Sequence, residues 1–220
     1  FIGKKDKKQS EKNFNIKLFI SRKISENRIY SSELTQKKYF YFSSLSTRTI
    51  IYKGLLMPED IKRFYPDLTN PDLITKLALV HQRFSTNTFP TWDLAQPFRY
   101  MCHNWEINTL KGNVSRMTTR EELLKSEFIN DEDMKKIFPI ILSEKSDSAC
   151  MDMVLELLLI TGRSLPEAMM MLVPEAWEKH KSMDDSKKAF YKFNSCIMEP
   201  WDGPASIPFT DGTYIGALLD

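Results

Sequence analysis

The sequence predicts an α+β fold, a layered domain in which antiparallel strands flank a block of helices. Three observations carry this. Two β-branched and aromatic runs, 39–44 and 48–53, are joined by a Ser/Thr-rich turn and closed by Gly54. The second half holds a block of apolar residues at helical spacing. At the end, ASIPFTDGTYIGALLD sets two short strands around Asp211 and Gly212, a strong hairpin signal. Strand pairs on either side of helices imply sheet packed on helix.

The elements follow in order. FIGKKDKKQSEKNFNIKLFISRK gathers lysines and reads as a solvated or frayed terminus, so 1–38 is taken as a basic divergent segment and 39–220 as the domain. After the first strand pair, LMPEDIKRFYPDL puts Pro58 at a first helical position, with Glu59 and Asp60 favoured by the helix dipole and Pro66 as a stop. A short helix over 58–64 is expected. KLALVHQRFS (76–85) and FRYMCHN (98–104) are runs of buried-strand type that turn polar at their ends. GNVSRMTTREELLKS is helical in pattern. In SDSACMDMVLELLLITG, apolar residues at 150, 151, 154, 157 and 158 keep helical spacing between the capping oxygens of Ser146 to Ser148 and Gly162. SLPEAMMMLVP opens with Ser164 and Glu167 in capping-box spacing, and SKKAFYKFNSCIM gives a third helix in this half.

Composition bounds the function. With 42% hydrophobic and 12% aromatic residues, the chain of 220 residues can bury a sizeable core. Its formal charge of +2 argues against a nucleic-acid partner, and the longest apolar run, MVLELLLI, is too short and too charged at Glu156 to cross a membrane. Three widely spaced cysteines, Cys102, Cys150 and Cys196, offer neither a disulfide framework nor a metal-binding pair. A reducing compartment, cytoplasmic or the interior of an organelle, is expected, and no secretion. The chain begins with Phe, which suggests a fragment or a processed product.

Polar residues gather at three places. Arg83 ends an apolar run and is followed by Ser, Thr and Asn residues, in HQRFSTNTFPTW. A guanidinium fork with neighbouring hydroxyls grips a free carboxylate; the same pattern also suits a surface strand end. Asn104, in HNWEINTL, puts an amide where a loop can aim it beside a backbone N–H, as an oxyanion hole requires; an Asx turn is the alternative. His103 beside it reads as a structural histidine, and Cys102 and His103, being adjacent on a strand, face opposite ways. Asp147 opens a helix and either caps it or receives a substrate ammonium. One Arg and one Asp in a cleft would select a zwitterion such as a free amino acid.

The segments SLSTRTIIYKGLL, LALVHQRFSTNTFPTWDLAQPFRYMCHNWEINTLKGN, SDSA, GRSLPEAMMMLVPEAW and MEPWDGPASIPFTDG together resemble the glutaminase domain of glutamate synthases, a family of class II glutamine amidotransferases. The likeness covers about residues 39–220, with RFSTNTFP and WDGPA its most specific parts. It implies an N-terminal-nucleophile (Ntn) hydrolase-type αββα sandwich of stacked antiparallel sheets, incomplete in this chain. It also implies attack on the glutamine amide by an amino-terminal Cys, through a glutamyl thioester, with ammonia released for reductive amination of 2-oxoglutarate to glutamate. None of the three cysteines matches that nucleophile, so the isolated chain is expected to be inactive. Carried over by position, Arg83 holds the glutamine carboxylate, Thr86 supports it with a hydroxyl and Asp147 binds the α-ammonium. Asn104 matches the oxyanion-hole side chain, and Trp105 stands where the family has a glycine whose N–H completes the hole. Trp keeps the N–H but resists positive φ, so either the hole is distorted or the residue reflects a one-base sequence error.

No cofactor is expected in this segment; the parent enzyme would use FMN and an iron-sulfur cluster. The implied partners are L-glutamine and the remaining glutamate synthase domains, without nucleic acid or membrane. Two other readings stay open. One is another class II amidotransferase, such as an asparagine or glucosamine-phosphate synthase; the other is a non-catalytic glutamine-binding or structural remnant.

Overall fold

In the first half, chain direction is set by capping oxygens more than by strands. The computed structural model describes residues 2–83, 88–104 and 106–219. Helix α1 (Glu11–Tyr30) starts at Ser10, whose hydroxyl accepts the Asn13 N–H, with Glu11 in the first turn and Arg28 in the last, both favourable to the helix dipole. Ile16 and Phe19, three apart on one face, are buried, and α1 packs on the later helices α4 and α5. The lysine-rich opening is therefore not a frayed terminus beyond Ser10. Its charged residues include Lys23, whose ammonium is buried and donates to the carbonyls of Pro139 and Ile140 at 2.8 and 3.1 Å.

Pro58 and its acidic neighbours open a 3-10 turn that runs into α2 (Ile61–Phe64), as expected. The remaining helices are α3 (Leu110–Glu121), α4 (Asp131–Lys136), α5 (Asp147–Ile160), α6 (Leu165–Leu172) and α7 (Asp185–Ser195). Ser146 caps α5 by accepting the Ala149 N–H, Ser164 caps α6 by accepting that of Glu167, and Gly162 (φ 107°) ends the α5 turn. The short α4 was not anticipated; its signal is Asn130, which caps it, before three consecutive acidic residues.

Helix α5 is apolar on nearly every side and lies at the centre of the core. Its Met151, Val154 and Leu155 are fully enclosed, packed with Leu165, Met169 and Leu172 of α6 and with Ile137, Ile140, Met101 and Ile207. Two acidic residues of this helix, Asp152 and Glu156, are buried with it and face a charged cluster under α1. Arg22 bonds Glu26 at 2.7 Å and also Glu156, while Arg99 donates to Glu26 at 3.4 Å and to the Phe42 carbonyl at 2.7 Å. Asp152 accepts the N–H groups of Arg99 and Tyr100 at 3.1 and 2.9 Å. An acid that is fixed to α5 thereby fixes the start of the run leading to Asn104.

The strands differ from expectation. Strands β1 (Ser206–Thr210) and β2 (Ile215–Leu219) form the anticipated hairpin, antiparallel, with Ser206 opposite Leu219 and Thr210 opposite Ile215. Asp211 accepts the N–H groups of Thr213 and Tyr214, and Gly212 takes φ 83°, which the turn requires. Residues 39–44, 48–53 and 76–83 form no strands; among the described residues none offers them a ladder, and apolar side chains such as Ile50, Leu77 and Val80 are exposed. β-branched composition alone does not make a strand without a partner edge. The run 98–104 lies between these cases. It is irregular in its own geometry but pairs antiparallel with β1 through Cys102 N–H to Pro208 (3.1 Å), Asn104 N–H to Ser206 (3.1 Å) and Thr210 N–H to Tyr100 (2.8 Å). The architecture among the described residues is thus mixed α and β, dominated by helix, with one two-stranded sheet.

Candidate functional site

The polar loop 103–110 leaves the edge of β1 and returns into α3, and it is held from three directions. At its start, the backbone of Asn104 exchanges two hydrogen bonds with Ser206, donating at 3.1 Å and accepting at 3.4 Å, while its side chain is exposed. The amide is thus anchored by its main chain and open at its tip, which is what a donor to a bound molecule needs. At its far end, Asn108 N–H donates to the Asp202 carbonyl at 2.8 Å, and Asp202 N–H donates to the Thr109 hydroxyl at 3.0 Å. Beside this clasp sits Gly203 at φ 151°, where a Cβ would stand 2.2 Å from the Glu106 carbonyl oxygen. Only a residue without a side chain permits that approach.

The third hold comes from Asp147. Its Oδ2 accepts the Ile107 N–H at 2.9 Å, and its Oδ1 accepts the N–H of Ser148 at 2.6 Å and that residue's hydroxyl at 3.2 Å. The capping role considered for Asp147 belongs instead to Ser146, one residue earlier. Asp147 is consequently the first residue of α5 itself, half-buried and turned toward the loop. Sequence spacing could not show this, because the loop partner is a backbone N–H some forty positions away.

The main chain of His103 is tied to Gln96. Its N–H donates to the Gln96 side-chain oxygen at 2.6 Å and its carbonyl accepts from the same side-chain amide at 2.9 Å. Burial holds its imidazole below the ordinary range, with Asp147 opposing and His81 adding to that shift. Its Nε2 has no hydrogen-bond partner among the described residues. Arg83 is exposed and donates its N–H to His81 Nδ1 at 3.1 Å; its guanidinium meets no carboxylate among the described residues. Thr86 and Trp105 lie outside the described residues.

None of the cysteines offers a nucleophile with its base. Burial pushes the Cys102 thiol up to about 11 and, as the largest cause, the Cys150 thiol up to about 12; Cys196 closes α7. Among the described residues no three His, Cys, Asp or Glu side chains gather as a metal would require.

Comparison with known proteins gives the family of the chain. The family model described as class II glutamine amidotransferases matches residues 1–220. The chain is 51% identical over 219 residues to the NADH glutamate synthase of Saccharomyces cerevisiae, covering 98% of this chain and 10% of that protein. It is 47% identical over 220 residues to the NADPH glutamate synthase large chain of Bacillus subtilis, covering 100% of this chain and 14% of that one. With the ferredoxin-dependent glutamate synthase of Antithamnion sp. it shares 44% identity over 205 residues, 92% of this chain and 13% of the relative. The chain thus spans 10 to 14% of the length of these relatives. A match over the whole chain, on residues that build one braced polar loop beside a helix-borne carboxylate, places this protein in the class II glutamine amidotransferases.

Proposed function

We propose that the chain is part of the glutaminase segment of a glutamate synthase, binding glutamine so that ammonia can be released and used for reductive amination of 2-oxoglutarate. Arg83 pairs with the substrate carboxylate through its planar fork, and Thr86 adds a hydroxyl to that pocket. Asp147 receives the α-ammonium. The Asn104 amide and the N–H of residue 105 stabilise the oxyanion that forms when the side-chain amide is attacked. The attacking thiolate belongs to an amino-terminal Cys of the mature domain and is none of Cys102, Cys150 or Cys196. After attack the C–N bond breaks as the amide nitrogen takes up the proton given up by the thiol and leaves as ammonia, and water then hydrolyses the glutamyl thioester to glutamate and the free thiol. The elements described belong, in this reading, to an αββα sandwich whose sheets are completed by other strands, and the FMN and iron-sulfur cluster of the parent enzyme lie in other segments.

The observation that carries the proposal is the bond between Asp147 and Ile107 N–H, which sets a carboxylate for an ammonium beside the loop that bears Asn104. Arg83→Lys in the full-length protein tests it. A lysine keeps the charge and loses the fork. The glutaminase KM for glutamine is expected to rise about tenfold with kcat little changed, and an unchanged KM would remove Arg83 from the pocket. The two high-set thiols favour one second reading, in which the segment binds glutamine without carrying out chemistry alone. Calorimetric titration of glutamine beside an ammonia assay on the isolated chain separates the two: binding without turnover is the expected result there.

A further inference from the structure

We infer that Asp147 positions the oxyanion loop as well as the substrate amine, so that a single carboxylate couples the occupancy of the amino pocket to the catalytic geometry of Asn104 and its neighbour. The inference rests on the reading of Asp147 given above and extends it to a second role. It starts from a count of hydrogen bonds. An ionised carboxylate offers about four acceptor positions, two on each oxygen. On Oδ1, the Ser148 N–H and hydroxyl occupy both; on Oδ2, the Ile107 N–H occupies one. The position left over is on Oδ2, the oxygen that already holds the loop. A substrate ammonium seated there shares its acceptor with the Ile107 N–H.

The geometry of the loop shows why this bond matters. Asn104 is fixed by Ser206 at one end and Asn108 by Asp202 at the other. Between them, the Ile107 N–H to Asp147 is the one side-chain hold on residues 106 and 107 among the described residues. The Glu106 carbonyl, pressed against Gly203, limits movement in one direction only. Without the carboxylate, the middle of the loop is free to turn its N–H groups away from a developing oxyanion, and an oxyanion hole works only when its donors are already aimed. Ser146 caps α5 independently, so the helix start does not depend on Asp147.

The two roles separate by substitution in the full-length protein. Asp147→Asn keeps an acceptor for the Ile107 N–H and loses the charge; Asp147→Ala loses both. Asp147→Asn is expected to raise the KM for glutamine about tenfold or more and leave kcat within about threefold. Asp147→Ala is expected to raise KM similarly and to lower kcat by a further tenfold or more, toward the scale of losing one oxyanion donor, about 10²-fold. Faster amide exchange over 104–110 in the Ala variant alone should accompany it. Equal kcat in the two variants overturns the positioning role while leaving the ammonium assignment standing. An unchanged KM in both overturns the ammonium assignment, and with it the shared carboxylate. Replacing the amide between residues 106 and 107 by an ester, which deletes the N–H and keeps the buried Ile107 side chain, serves where the Ala variant does not fold: kcat is expected to fall about tenfold with KM within about threefold, and an unchanged kcat overturns the inference.

Discussion

Gly203 shows how far one residue can determine the site without touching a substrate. A Cβ at that position would lie 2.2 Å from the Glu106 carbonyl oxygen, and the φ of 151° lies in a region that side chains disfavour. Gly203→Ala must push the loop off its clasp. The expected outcome is a fall in glutaminase kcat of at least tenfold with KM for glutamine nearly unchanged, measured in the full-length protein, and a stability loss of about 1–3 kcal/mol in urea unfolding. Gly203 stands within WDGPA, a motif that carries no sign of its contact with the loop. The same holds for Ile107: a backbone N–H has no sequence signature, and its partner Asp147 looks like an ordinary helix cap until the cap is seen to be Ser146. Arg83, Asn104 and Asp147 stand out in the sequence as polar residues at the ends of apolar runs and at a helix start, and the roles proposed for them come from the resemblance.

At the level of elements, legibility followed the caps. Ser146 and Gly162 around α5, Ser164 before α6, and Asp211 with Gly212 in the hairpin each announce a boundary by a bond the backbone must make, and each was found where expected. Helix α1 was missed because its lysines hid a narrow apolar face, and because the residues that tie it down, Arg22 and Glu26, are charged and read as surface. The strand runs at 39–53 and 76–83 were over-read, since a strand is a property of two segments and a sequence displays one. The α1 to α5 contact makes its own prediction. Glu156 pairs with Arg22 and lies 3.9 Å from the Arg99 guanidinium, both well buried. Glu156→Gln leaves two arginines short of an anion and is expected to cost about 3–5 kcal/mol in urea unfolding. A cost below about 1 kcal/mol would show that water or rearrangement supplies the missing charge.

For the molecule as a whole, buried bases and thiols set a pH profile. Burial pulls Lys53 down to about 7 and Lys23 down to about 8, so from there to about 10.5 the unfolded chain binds more protons than the folded one and stability rises with pH. Lys53 sits among Asp93, Asp152, Arg99 and Lys145, with its ammonium on the carbonyls of Asp93 and Ala95 at 2.7 and 2.9 Å. The thiols of Cys102 and Cys150, pushed up to about 11 and 12 from 9, act with the opposite sign above pH 9, as do the raised phenols of Tyr41 and Tyr100 above 10. The thermal midpoint is therefore expected to climb between pH 7 and 9, to level off to about pH 10 where the lysines and thiols offset each other, and to fall beyond it. Lys53→Met should flatten the climb, and a profile falling from pH 7 upward would contradict the assignment.

The run 98–104 has one further property. Its inner side is bonded to β1, and its outer side is closed by its own chain: Gln96 satisfies both backbone groups of His103, and Phe98 N–H donates to the Met101 carbonyl at 2.8 Å. Nothing can add a rung there without displacing these bonds. Among the described residues, the sheet's exposed margin is β2, where Ile215 and Leu219 face solvent. Edge-to-edge association, and the aggregation that follows from it, would begin at β2, leaving the Asn104 side of the sheet protected by the local chain between Gln96 and His103.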